Sequence, residues 1–330
     1  TSMTLTPRQA VLTLLDARQR PANDGITCNN TQHQQTYTNM KRTRMLIIAA
    51  LMSLAASAQG VNESRIVTDT IQSKVLGVKR AYTVLLPKGF DSGDTRRYPV
   101  LYLLHGMWGK NDDWVSQGRL KDVVDRLVAS GEARPMVIVT PDAGGGDPNV
   151  YQNGYFDMDG WKYETFFFTE LVPFIEKQFH TGGSKANRAI AGLSMGGGGA
   201  TAYGLRHPDM FCAVYAMSAL MDIPDGRETD AEKPDGKLAK LTRSVIDHSC
   251  VQFVAEADSQ SRERLRSVQW FVDCGDDDFL LDRNIDFTRA MRHAAIPCQF
   301  RVRDGVHDWE YWHTALYLCL PFVSRNFSAQ

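Results

Sequence analysis

The stretch from Arg188 to Arg206 constrains the fold more than any other part of the chain. A short apolar run, Arg188-Ala-Ile-Ala-Gly192, leads through Leu193 into Ser194-Met195-Gly196, and glycines continue to Gly199 before a helix-compatible segment. Small residues two before and two after a serine let a backbone turn sharply from strand into helix and hold the hydroxyl out at the bend. A flexible linker would not sit between two buried segments. No Lys-Ser/Thr pair follows, so the pattern is not a phosphate loop.

Around this turn, strand and helix patterns alternate. Arg65–Leu76 and Arg80–Leu86 read as an opening antiparallel pair, and Tyr98–Leu104 and Pro135–Thr140 as strands buried on both faces. Further strands are expected at 189–193, 211–217, 268–272 and 298–302. Helices are expected at 120–129, 164–179, from Met195, at 284–294 and at 309–327, the last broken at Pro321. This order predicts a doubly wound, mostly parallel sheet covered by helices. The polar segment 222–267 interrupts it as a cap-like insertion, its DGRETDAEKPDGK portion loop-like.

The N-terminal region has a different character. Lys41, Arg42 and Arg44 precede an apolar run from Met45 to Ala55 and a small-residue Ala56-Ser57-Ala58. That is the layout of a secretory signal peptide over 40–58, too short in its apolar part to span a bilayer. Residues 1–39 are polar and are expected to be a disordered upstream extension. The mature domain would run over 59–330 and be secreted or periplasmic. With 37 basic and 38 acidic residues, the net charge of −1 gives no electrostatic reason to expect nucleic acid. Five cysteines follow the leader without metal spacing, and Cys212, Cys274, Cys298 and Cys319 sit in or beside apolar runs, as buried thiols do.

A serine hydroxyl becomes nucleophilic only when a base takes its proton. After Ser194 the histidines are His207, His248, His293, His307 and His313. Only His307 lies in a glycine-bearing loop directly after a strand, where the base belongs if the order is Ser, acid, His. The acid should follow the preceding strand, at Gly275-Asp276-Asp277-Asp278, and chemistry alone does not choose among the three. Two backbone N–H groups must face the developing oxyanion. Met195, directly after the serine, and Met107, in the His105–Gly109 loop, are the candidates. His105, at the end of a buried strand, reads as a structural hydrogen bonder.

Taken together, LYLLHGMWG, Tyr163-Glu164-Thr165, GLSMGG, CGDDDFLLD and DGVHDWEYW resemble the "putative esterase" family of α/β-hydrolase fold, from about Arg65 onward. That family includes feruloyl and acetylxylan esterases, S-formylglutathione hydrolases and mycolyltransferases. In it the acid stands three residues after the glycine that ends its strand, which implies Asp278. The resemblance also supports Met107 and Met195 as oxyanion donors and implies that the segment Trp309 to Trp312 lines the site; Trp108, Trp309 and Trp312 are the substrate-binding candidates. An export signal argues against a glutathione substrate.

The expected function is a serine carboxylesterase acting on feruloyl or acetyl groups of plant polysaccharides, with Ser194, Asp278 and His307 as its catalytic set. A generic short-chain esterase and an acyltransferase share that chemistry. A binding protein on a hydrolase scaffold would not need the complete set. Neither metal nor cofactor is expected: His180 and His207 are isolated. The expected partner is a small or polysaccharide-linked ester, and the mature form should have no membrane span. Tyr151, Tyr155 and Trp161 would either stack on the substrate or pack in the core.

Overall fold

The structure, a computed structural model, describes residues 63–91, 93, 96–144, 154–223 and 236–328. The expected leader, the upstream extension, the domain start at 59 and Tyr151 all lie outside these residues. Two antiparallel strands, β1 (Arg65–Gln72) and β2 (Lys79–Leu86), open the fold. Next come β3 (Val100–Leu104), the helices α1 (Asp113–Ser116) and α2 (Leu120–Ser130), and β4 (Val137–Pro141). A small hairpin, β5 (Asp157–Met158) and β6 (Trp161–Lys162), precedes α3 (Tyr163–Phe166), a π-helical turn (Phe167–Leu171) and α4 (Val172–Gln178). The single helix expected over 164–179 therefore carries a wider turn. Pro173 follows it, and its missing N–H and bulky ring disfavour a regular preceding turn.

The chain continues through β7 (Arg188–Leu193), α5 (Ser194–Arg206), β8 (Ala213–Met217), α6 (Lys237–Asp247), α7 (Cys250–Glu256) and α8 (Ser259–Arg266). It closes with β9 (Gln269–Gly275), α9 (Leu281–His293), β10 (Gln299–Arg303) and α10 (Trp309–Asn326). Among the described residues one eight-stranded sheet has the order β1-β2-β4-β3-β7-β8-β9-β10, parallel from β4 to β10. After β3 the chain first adds β4 on one side, then β7 on the other. The crevice beyond the strand ends at such a reversal is where open α/β sheets place their ligands.

Alternate side chains of β3 feed two apolar layers. Val100, Tyr102 and Leu104 join Ile190, Tyr203 and Phe287 on one face, and Leu101 and Leu103 join Trp114, Val123 and Leu316 on the other. Every β3 residue is consequently buried, which explains its unbroken apolar run. No described helix is long and apolar enough to cross a membrane.

Of the insertion over 222–267, the stretch expected to be loop-like lies almost wholly in residues 224–235, outside the described set. The rest forms α6, α7 and α8, with Ser249 accepting the Gln252 N–H at 3.1 Å and Asp258 the Ser261 N–H at 2.7 Å as N-caps. Leu241 and Val245 give α6 its buried stripe, and α7 packs against α5 and α9. Contrary to expectation, α10 does not break at Pro321. Leu316, Cys319, Leu320, Phe322 and Val323 are all buried, and that packing outweighs the one hydrogen bond proline forfeits. The five described cysteines are free. Cys298 is only partly buried, contrary to the expectation for it.

Candidate active site

Ser194 stands where β7 turns into α5, with φ +52°, a left-handed conformation that non-glycine residues rarely adopt. The surrounding glycines explain how the turn closes. A Cβ at Gly192 would run into the carbonyl oxygen of Gly196, and one at Gly196 into the carbonyl oxygen of His105. The serine carbonyl accepts the Leu220 N–H at 2.9 Å. Met195 lies in the first turn of α5, whose N–H groups have no acceptor within their own helix.

The loops after β9 and β10 bring two more side chains to this hydroxyl. His307 Nε2 lies 2.9 Å from Ser194 Oγ, and its Nδ1 lies 2.8 and 3.0 Å from the two carboxylate oxygens of Asp278. A carboxylate only accepts, so Nδ1 carries the proton and Nε2 is left to accept the serine hydroxyl. Asp278 is buried, and burial alone would raise its pKa. The hydrogen bonds from His307 and from the Leu280 N–H, the latter at 2.8 Å, outweigh that and hold it below the ordinary carboxylate value. The side chain beside the imidazole is therefore an anion.

The neighbouring acids do other things. Asp276 is exposed and accepts the Gly305 N–H at 3.0 Å, pinning the loop that bears His307; Asp277 is exposed. Asp273, which the sequence reading passed over, is fully buried. It takes two hydrogen bonds from Arg303, at 3.1 Å each, and one each from Tyr215 at 2.8 Å and Tyr311 at 2.5 Å. A lone acid inside the otherwise apolar run of β9 was the available signal.

The His105–Gly109 loop closes against the serine. A Cβ on Gly106 would meet Leu193 Cδ1 at 2.7 Å and Ser194 Cβ at 3.5 Å, so only glycine allows this approach and the backbone leading to Met107 passes beside the hydroxyl. His105 is buried, which lowers its pKa, and its ring is neutral. Nε2 accepts the Ala143 N–H at 3.0 Å, so the Nδ1 proton goes to the Gly106 carbonyl, 2.7 Å away. The Tyr155 hydroxyl donates to the His105 carbonyl at 2.8 Å, and Trp114 Nε1 to that of Leu104 at 3.1 Å.

Aromatic groups surround the three side chains unequally. Trp108 is 62% exposed and, with φ +61°, projects from the turn Gly106–Gly109. Trp312 is buried and meets the His307 ring edge-on at 4.9 Å, so it supports the imidazole. Trp309 is half-buried between Trp114 and Trp312, at 5.3 Å from each. Tyr155 and Trp161 pack in the core. Phe279, unnoticed in the sequence, lies with its ring 4.4 Å from that of His307.

The remaining histidines lie apart from Ser194 or serve the scaffold. His207 Nε2 and Arg206 Nε each lie 3.0 Å from Glu164 Oε1, and a cavity of about 300 Å³ beside Arg206 and His248 opens at the far end of α5. Among the described residues no group of three or more His, Cys, Asp or Glu is arranged to hold a metal.

A family model described as "Putative esterase" matches residues 73–322. A solved structure named ferulic acid esterase superposes with a TM-score of 0.78 at 66% identity, covering 81% of this chain and 99% of that one. The endo-1,4-beta-xylanase/feruloyl esterase of Xylanibacter ruminicola is 37% identical over 160 residues, which is 47% of this chain and 22% of that protein. An acetyl esterase of Caldicellulosiruptor saccharolyticus is 25% identical over 274 residues, 77% of this chain and 96% of that protein. The match thus spans about a fifth of the length of the Xylanibacter relative.

Proposed function

The chain belongs to the "Putative esterase" family, and from that premise we propose that it is a serine carboxylic ester hydrolase releasing feruloyl or acetyl groups from plant polysaccharides. The observation that carries the reading is the unbroken line of hydrogen bonds from Asp278 through His307 to Ser194, at 2.8 and 2.9 Å. Ser194 Oγ attacks the ester carbonyl carbon while His307 Nε2 takes its proton, and Asp278 stabilises the resulting imidazolium. The N–H groups of Met195 and Met107 receive the oxyanion. Collapse expels the alcohol, which takes the proton from Nε2, and leaves an acyl-serine. Water then repeats the sequence, releasing the acid and restoring the serine.

The feruloyl preference draws on the 66% identity to a ferulic acid esterase, and the acetyl alternative on the Caldicellulosiruptor relative. On this reading Trp108, exposed beside Met107, meets the acyl group. Trp309 and Trp312 contribute from behind the imidazole rather than as a free wall. The signal-peptide pattern at 40–58 supports action outside the cytoplasm. A panel of acetyl, butyryl and feruloyl esters tests the reading. Turnover is expected to be fastest on feruloyl esters; a preference for butyryl over both others would displace it in favour of a generic short-chain esterase.

A further inference from the structure

Phe279 is 76% exposed, the most exposed large apolar side chain among the described residues. Single exposed hydrophobic residues are common, so its exposure alone says nothing. Its position does. The residues on either side, Asp278 and Leu280, are buried and joined by a hydrogen bond, so the ring projects from a fixed base. One side of it meets the His307 imidazole, with ring centres 4.4 Å apart and planes inclined by 48°. Buried Trp312 already supports that imidazole from another direction. Val306, 46% exposed, adds apolar surface next to His307.

The chemistry assigns a side to this surface. His307 Nε2 must come within hydrogen-bond reach of the departing alcohol oxygen to protonate it. The carbonyl oxygen turns the other way, toward the Met107 and Met195 N–H groups. A ring resting on the imidazole therefore borders the alcohol half of the ester, not the acyl half. We propose that Phe279 is a specificity residue for the alcohol: the C–H face of the sugar that carries the ester packs on its exposed ring. This rests on the polysaccharide-ester reading given above.

The contact exists only until the alcohol leaves, so it acts on acylation and not on hydrolysis of the acyl-serine. The test compares Phe279→Ala, Phe279→Trp and the unaltered enzyme on methyl ferulate and on a feruloylated arabinoxylan oligosaccharide. The ratio of kcat/KM for the oligosaccharide ester to that for methyl ferulate is expected to fall about tenfold in Phe279→Ala, through loss of apolar contact area. It should be retained in Phe279→Trp. Where deacylation limits turnover, the loss should appear in KM rather than kcat. An unchanged ratio, or equal losses on both esters, overturns the proposal and leaves the esterase reading intact. An unaltered enzyme that hydrolyses neither ester overturns the proposal together with the feruloyl branch of the esterase reading.

Discussion

Arg303, at the end of β10, grips the fully buried carboxylate of Asp273 in β9 with two hydrogen bonds of 3.1 Å, while its guanidinium lies 4.1 Å from the centre of the Tyr311 ring. The pair ties together the two strands whose following loops carry Asp278 and His307. Replacing Arg303 by Met would leave a buried anion with only two tyrosine hydroxyls. A loss of about 3 kcal/mol is expected for removing one partner of such a pair. For a domain of this size that is a drop of roughly 6–12 °C in Tm. Calorimetry checks it, and a fall of under about 2 °C would show that the pair matters little.

Ser194→Ala is expected to reduce kcat/KM by about 10⁴- to 10⁶-fold while leaving the melting temperature close to that of the parent. A fluorophosphonate probe should label the parent at Ser194 and fail on the variant. Labelling at another serine would sink the assignment.

Exchanging the three clustered acids one at a time separates their roles. Asp278→Asn should lower kcat by about 10⁴-fold, because an amide favours the wrong tautomer of His307. Asp277→Asn, at an exposed position, should change it far less. Asp276→Asn should fall between, since Asp276 pins Gly305 without touching the imidazole. Steady-state kinetics on one feruloyl ester decide it, and a larger loss at Asp277 than at Asp278 would overturn the order.

Glu164 gives a pH prediction. Burial pushes its pKa up, but the hydrogen bond with His207 and the Arg206 guanidinium more than compensate, so it lies below the ordinary value. A depressed carboxylate adds stability that is fully present above the unfolded-state pKa of about 4.3 and disappears as pH falls through the lower folded-state value. Glu164→Gln should therefore melt below the parent at pH 7, and the gap should narrow below about pH 4. Melting curves from pH 7 to pH 3 measure this; a gap constant with pH would contradict it.

Much of the fold was legible because β3, β4 and β7 are covered on both faces and so carry continuous apolar runs between turn signals. The helices α6 to α8 were not, because short helices with polar outer faces resemble loops in composition. For the site, Ser194 and His307 announced themselves by their places after strands. Asp278 needed the family spacing, since burial separates it from Asp276 and Asp277 and burial is a property of the folded loop. Phe279 was invisible for the opposite reason: an exposed phenylalanine beside an acid looks like any core residue until the imidazole beneath it is placed. The Asp273–Arg303 pair likewise forms only when two successive strands, 30 residues apart at these positions, lie side by side in the sheet.

The order of the three side chains along the sequence also sets an order in time. A ribosome delivers Ser194 with its glycines first, then Asp278, and only afterwards His307 and the helix Trp309–Asn326, whose buried Trp312 supports the imidazole. A growing polypeptide therefore carries a serine without its base until His307 has been added. On the proposed mechanism, hydrolytic competence arrives only when His307 and the helix Trp309–Asn326 dock, and the maker is never exposed to a half-built enzyme that acts.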